Sequence, residues 1–167
     1  IGKLEKGYQD ELLRLARSSK KVVAIGEIGL DYHYDVDPRE YQQKKMIEMA
    51  EVAKEANLPI IIHDRDAHND VMNIIKNNCK GVCGVLHCFS GSYEMAMEAI
   101  KQDFYISIGG PITFKNEKKL KEMAPKLPLD RLLVETDCPC LAPVPVRGTM
   151  NVPANIKYTG QVLADCI

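Results

Sequence analysis

The stretch KVVAIGEIG at residues 21–29 is the first of five short apolar runs that decide the fold. The others are LPIIIH (58–63), VCGVLHCF (82–89), FYISIGG (104–110) and RLLVETD (131–137). Each run is nearly continuous in Val, Ile and Leu instead of alternating with polar residues. That pattern is typical of strands buried on both faces, as in a parallel sheet.

Helical patterns fill the segments around these runs, and they decide the fold class. They lie at residues 4–18, 38–57, 92–102, 116–126 and 153–165, and one more is expected between the second and third runs. The regular alternation of helix and strand predicts the α/β class.

The length, composition and net charge of the chain limit the classes of protein to which it can belong. With 167 residues, of which 46% are hydrophobic, the chain can form one domain or part of one over residues 1–167. A net charge of −1 argues against a globally basic nucleic-acid binder. The sequence has no membrane-length apolar run and no signal-peptide pattern, and its six cysteines suit reduced thiols. We therefore expect a cytoplasmic protein.

Four of the five runs carry a metal-ligand residue at or near the carboxyl end: Glu27, His63, His87 and Asp137. Glu27 stands inside a strand that is predicted to be buried, where a carboxylate is costly to desolvate without a positive partner. Because the carboxyl ends of parallel strands share one side of the fold, we expect the four to converge on a divalent cation such as zinc, manganese or magnesium. In the alternative, each has a separate structural role, with Glu27 paired to a buried Lys or Arg.

Residues that flank these positions extend the candidate site. Arg65 follows His63 and is predicted to face a phosphate, with a salt bridge to a neighbouring acid as the alternative. Asp66 is a candidate cap for the next helix. His68 is expected on that helix and not as a ligand, and His33 is a weaker ligand candidate still.

Two other clusters have simpler interpretations. Cys138 and Cys140 lack a second pair at zinc-site spacing, so we expect ordinary buried cysteines. The lysine-rich segment KNEKKLKEMAPK at residues 115–126 predicts a solvated helix face, with contact to a DNA backbone as the alternative.

Six motifs in order resemble those of the TatD family of metal-dependent deoxyribonucleases. They span about residue 20 to 156 and read AIGEIGLDYHYD, LPIIIHDRDA, LHCFSGS, YISIGGPITF, LPLDRLLVETDCPCLAP and RGTMNVP. The resemblance implies a (β/α)8 barrel with a binuclear metal centre and hydrolysis of DNA phosphodiesters from the 3′ end, with DNA as the partner.

By the same resemblance, Glu27 is the ligand that bridges two divalent cations, Mg²⁺ foremost with Mn²⁺ or Zn²⁺ as alternatives. His63 and His87 resemble the imidazole ligands of one cation. Asp137 resembles a ligand of the other and the group that orients or deprotonates the attacking water. Two cations would offset the cost of burying Glu27.

The last motif departs from the family pattern. Arg147, Gly148 and Asn151 match it, and Arg147 is a predicted phosphate contact. Cys140 stands where the family commonly has an aromatic residue.

The front of the family pattern is also missing, because the sequence has no His-x-His pair. Aligned by motif, the five runs correspond to barrel strands four to eight, so we expect a partial barrel whose first strands lie upstream of Ile1. Three functional alternatives stay open: another ester or amide substrate, such as a small molecule or aminoacyl-tRNA; an inactive fragment; or a binding module. A monomer is favoured, although the sequence does not determine the oligomeric state.

Overall fold

The computed structural model describes residues 4, 6–34 and 36–167, and within them it contains five β-strands and six α-helices. In chain order these are α1 (Tyr8–Ser18), β1 (Ile25–Asp31), α2 (Arg39–Ala56), β2 (Ile60–Arg65), α3 (His68–Asn78), β3 (Gly84–Leu86), α4 (Tyr93–Lys101), β4 (Phe104–Ile108), α5 (Lys118–Met123), β5 (Leu132–Val134) and α6 (Ile156–Cys166). The predicted α/β class is confirmed. Closure into a partial barrel stays a prediction.

The chain divides into two compact units. The first comprises the described residues up to Leu86 together with Lys101–Phe104, and the second comprises His87–Ile100 and Tyr105–Ile167. The assignment of a single domain stays a prediction. Among the described residues, no helix is long and apolar enough to be a candidate membrane span.

In the first unit, strands β1, β2 and β3 pair in parallel. Ile60 of β2 lies opposite Ile25 of β1 and Gly84 of β3. Helices α2 and α3 contact β1 and β2, as crossover helices do. The core of this unit includes these buried side chains: Leu30, Met46, Ala50, Ala53, Ile60, Ile62, Val71, Ile75 and Leu86. The apolar runs therefore form buried parallel strands, as the sequence predicts.

In the second unit, β4 and β5 pair in parallel, with Ile106 opposite Leu132 and Ile108 opposite Val134. Helix α6 contacts β5 and α5 and buries Leu163. The buried apolar residues of this unit include Ile106, Ile108, Ile112, Leu120, Leu127 and Leu163.

The predicted helix ends agree with the local chemistry in several places. Pro38 precedes α2, and Asn57 ends it in the left-handed conformation with φ 52°. The Ser92 hydroxyl accepts the Met95 backbone N–H at 3.2 Å, so the predicted cap of α4 is confirmed. The helix predicted at 4–18 begins at Tyr8, and residue 5 lies outside the described residues.

Gly29 allows the closest approach between β1 and β2. It lies opposite His63 in the parallel register and has a φ of 150°. A Cβ atom at this position would lie 1.9 Å from the His63 carbonyl oxygen, which no side-chain movement can relieve. The sequence must therefore keep glycine where β1 passes the backbone of His63.

We expect Gly29→Ala to lower the free energy of unfolding by about 3 kcal/mol or more, because it combines a backbone clash with an unfavourable φ. Urea unfolding followed by circular dichroism measures the loss. Gly160→Ala in α6 is the matched control, since a Cβ there meets nothing within 4 Å and helix propensity favours Ala by up to about 1 kcal/mol. Equal stability of the two variants would contradict the requirement for glycine at position 29.

Candidate metal-binding site

The first unit brings two carboxylates to one imidazole. His63 on β2 has its Nδ1 atom 3.1 Å from Oε1 of Glu27 and its Nε2 atom 3.4 Å from Oδ2 of Asp31, both on β1. His63 is thus one partner of Glu27. The expectation that Glu27 is buried is wrong: its side chain is 50% exposed. The register of β1 against β2 shifts between Ile25 and Ile28, so Glu27 does not follow its apolar neighbours into the core.

Asp31 uses both of its oxygen atoms. While Oδ2 faces His63, Oδ1 accepts the backbone N–H groups of His33 at 3.0 Å and Tyr34 at 3.1 Å. Partial burial raises the pKa of the Asp31 carboxyl. The two hydrogen bonds and the nearby His63 lower it by more than burial raises it, so the net pKa lies below its usual value. Asp31 is therefore ionised at neutral pH and can hold the His63 ring.

Asp31 was missed by the sequence analysis, which took one ligand residue for each strand. The sequence did carry a signal: residues 27 and 31 are four positions apart in one strand, and an even separation places two side chains on the same face of a strand. Imidazoles that bind metals commonly donate their other ring N–H to a carboxylate. The Asp31–His63 contact has that arrangement.

The second unit holds another imidazole with two carboxylates. His87 follows β3, and Glu135 and Asp137 follow β5. Nδ1 of His87 lies 3.2 Å from Oε1 of Glu135, and potential ligand atoms of the three residues all lie within 4.8 Å of one another. This spacing suits the donor atoms around one divalent cation.

Glu135 is the second residue that the sequence analysis missed. Burial raises the pKa of its carboxyl, but hydrogen bonds from His87, the Ser107 side chain and the Cys88 backbone outweigh it, and the net pKa is lowered. The signal was present in VETD, where Glu135 stands two residues before Asp137. The partly buried Glu135 carboxylate is thus stabilised by several hydrogen-bond donors.

The loop that carries Asp137 is fixed by Asn151, which is only 2% exposed. The Asn151 amide donates to the carbonyl oxygens of Thr136 and Cys140, each at 2.7 Å. Its Oδ1 accepts the Val152 backbone N–H and the Asn155 amide, each at 3.0 Å. Asn151 therefore ties both sides of Asp137 to the turn before α6. Asp137 itself has a φ of 53°, in the left-handed region.

The two predicted phosphate-binding arginines lie on aromatic rings. The guanidinium carbon of Arg65 lies 4.8 Å from the centroid of the Tyr34 ring, and that of Arg147 lies 4.0 Å from the centroid of Phe114. Both arginines are exposed. Their contact with phosphate stays a prediction.

The remaining histidines pair with carboxylates. His68 begins α3, as expected, with Nδ1 2.8 Å from Oδ2 of Asp64. The suggestion that Asp66 caps α3 is wrong, because the cap residue is Ala67. The Asp66 carboxylate instead lies 3.2 Å from Nδ1 of His33.

All six cysteines lie within the described residues and are free thiols, as predicted for reduced cysteines. The expectation that Cys138 and Cys140 are buried is wrong, since both are exposed. They lie in the loop after β5, where the Cys140 carbonyl oxygen accepts a hydrogen bond from the Asn151 amide.

Comparisons with known proteins agree with the α/β fold. The family described as TatD related DNase matches residues 3–167. The chain is 52% identical to the Bacillus subtilis protein named "Uncharacterized metal-dependent hydrolase YabD", over 87% of this chain and 58% of that one. It is 43% identical to YcfH of Escherichia coli K12, which has the same description, over 94% of this chain and 60% of that one.

Among solved structures, the TatD homologue YjjV of Escherichia coli K12 is similar with a TM-score of 0.90 and 33% identity, over 98% of this chain and 64% of that one. A TatD family hydrolase of Entamoeba histolytica has a TM-score of 0.81 and 26% identity, over 97% of this chain and 62% of that one. The chain thus spans about three fifths of the length of the curated relatives that it matches.

We expect Asn151→Ala to lower the free energy of unfolding by about 2 to 4 kcal/mol, because two carbonyl groups lose their donor and each unsatisfied group costs about 1 to 3 kcal/mol. Urea unfolding measures the change. Asn155→Ala removes one hydrogen bond to Asn151 and is the control, with an expected loss of about 1 kcal/mol. Equal losses would show that Asn151 does not hold the loop.

Proposed function

This chain belongs to the family of TatD-related DNases, and from that premise we propose that it is part of a metal-dependent hydrolase that cleaves phosphodiester bonds of DNA. The observation that carries the proposal is the close group of His87, Glu135 and Asp137. The imidazole–carboxylate pair of His63 and Glu27 supports it. Relatives named as metal-dependent hydrolases support the hydrolase class.

The donor atoms fit a divalent cation. Imidazole nitrogens and carboxylate oxygens together suit Mn²⁺ and Zn²⁺, and the carboxylates suit Mg²⁺. We propose that Glu27, His63, His87 and Asp137 would be the ligands that hold two such cations. Bound cations would supply Lewis acidity and lower the pKa of water.

The carboxylates beside the two histidines fix the ring nitrogens that remain for ligation. With Glu135 ionised, it accepts the Nδ1–H of His87 and leaves the Nε2 lone pair available. Asp31 accepts the Nε2–H of His63 in the same way, and Nδ1 then faces Glu27. Asp137 is proposed to orient the attacking water and take its proton.

The substrate assignment rests on the family. We propose single-stranded DNA or 3′ ends as the substrate, trimmed in the 3′–5′ direction, with Arg65 and Arg147 as phosphate contacts. A guanidinium group suits this role because it donates two hydrogen bonds to phosphate oxygens. We further propose a monomer that acts in the cytoplasm.

The test is degradation of 5′-labelled single-stranded DNA by the full-length protein with Mg²⁺ or Mn²⁺. We expect a ladder that shortens from the 3′ end, loss of activity after removal of metal by EDTA, and recovery when metal is returned. Asp137→Asn and Glu27→Gln should each lower the rate about 100-fold or more, since each removes a charged ligand or proton acceptor.

Glu51→Gln is the matched control, because Glu51 is an exposed carboxylate on helix α2 and should leave the rate unchanged. Cleavage that persists in EDTA, or full activity of Asp137→Asn, would refute the two-metal proposal. If the protein hydrolyses a p-nitrophenyl carboxylic ester but not DNA, the alternative of another ester substrate replaces it.

A further inference from the structure

Tyr34 presents an aromatic ring to solvent directly after the strand that carries Glu27 and Asp31. Its side chain is 66% exposed. Arg65 lies over the ring at 4.8 Å from its centroid. The His33 ring meets it at 85°, with 5.0 Å between centroids. The ring therefore offers a solvent-exposed aromatic surface with a positive charge beside it.

The neighbouring Tyr32 makes the contrast clear. Its hydroxyl donates to Asp70 at 2.7 Å and accepts from the Gln43 amide at 2.8 Å, and Arg39 lies over its ring. Tyr32 is thus held within the first unit by hydrogen bonds to two helices. The Tyr34 ring instead points outward and has two thirds of its surface open to a ligand.

The backbone beneath Tyr34 and Arg65 is fixed. The N–H groups of His33 and Tyr34 both donate to Oδ1 of Asp31, and the N–H of Tyr32 donates to the Arg65 carbonyl at 2.9 Å. Asp31 and Arg65 are partners in the parallel register of β1 and β2. Because Asp31 also contacts His63, the Asp31 carboxylate connects the backbone below Tyr34 and Arg65 to a proposed metal ligand.

We propose that Tyr34 and Arg65 bind one nucleotide of single-stranded DNA, with the base stacked on the Tyr34 ring and a phosphate paired with the Arg65 guanidinium. The inference rests on the proposed function and assigns a substrate-binding role to Tyr34. Aromatic rings are the usual platforms for unpaired bases, and they tolerate any base because each has a π face. His33, held by Asp66 at 3.2 Å, supports the ring from its edge.

The test is binding of fluorescein-labelled oligo(dT) of about a dozen nucleotides to the full-length protein, measured by fluorescence anisotropy in EDTA so that no cleavage occurs. An abasic oligonucleotide of equal length reports the phosphate contribution alone. We expect Tyr34→Ala to raise the Kd for oligo(dT) by about five- to 150-fold, the range for one stacked base, and to leave abasic binding unchanged. Tyr34→Phe should bind as the unaltered protein does.

Arg65→Ala should weaken both oligonucleotides, because it removes a phosphate contact. Tyr158→Ala is the control: Tyr158 lies on helix α6 with the Lys157 ammonium 4.9 Å from its ring centroid, and its removal should change neither affinity. The proposal is overturned if the unaltered protein does not prefer oligo(dT) to the abasic strand. It is also overturned if Tyr34→Ala weakens both strands equally or neither.

These outcomes separate the stacking site from the hydrolytic activity. If Tyr34→Ala selectively weakens binding of oligo(dT) but the unaltered protein does not cleave DNA with Mg²⁺, the proposed function fails and the stacking site stands. If it cleaves DNA and Tyr34→Ala retains the affinity for oligo(dT), the stacking site alone fails.

Discussion

The close parallel pairing of β1 with β2 is the constraint on which the first unit depends. Gly29 lies against the backbone of His63, and a glycine is the only residue that permits this approach. The pairing sets Glu27 and Asp31 beside the two nitrogens of one imidazole. A shift of one residue in the register would turn these side chains to the other face of the strand. In this unit, the strand register that the Gly29 contact requires is therefore also the register that places Glu27 and Asp31 beside His63.

The second unit reaches a similar pairing by another route. His87 and Glu135 follow the short strands β3 and β5. Beyond β5, the buried Asn151 amide donates to the carbonyl groups on both sides of Asp137. Such a network is strong because it is fully satisfied, and the same buried position makes the loss of any member costly.

Much of the fold was predictable because it follows from local patterns. Continuous apolar runs predicted five strands, and residues such as Pro38, Asn57 and Ser92 predicted helix ends. The exposure of Glu27 was not predictable, since it depends on a register shift between strands that are distant in sequence. The position of Glu135 two residues before Asp137 was a usable signal, but the hydrogen bonds of Glu135 and Asn151 join residues that only the folded chain brings together.

The left-handed backbone at Asp137 limits which residues can stand there, whatever the chemistry requires. At a φ of 53°, Gly, Asn and Asp are accommodated easily, whereas β-branched residues are strained by about 1 to 3 kcal/mol. Codons for Asp reach those for Asn and Gly through one nucleotide change. The position can therefore lose its charge by mutation without losing its backbone conformation. A single nucleotide change can therefore alter the chemistry of this position while the backbone conformation is retained.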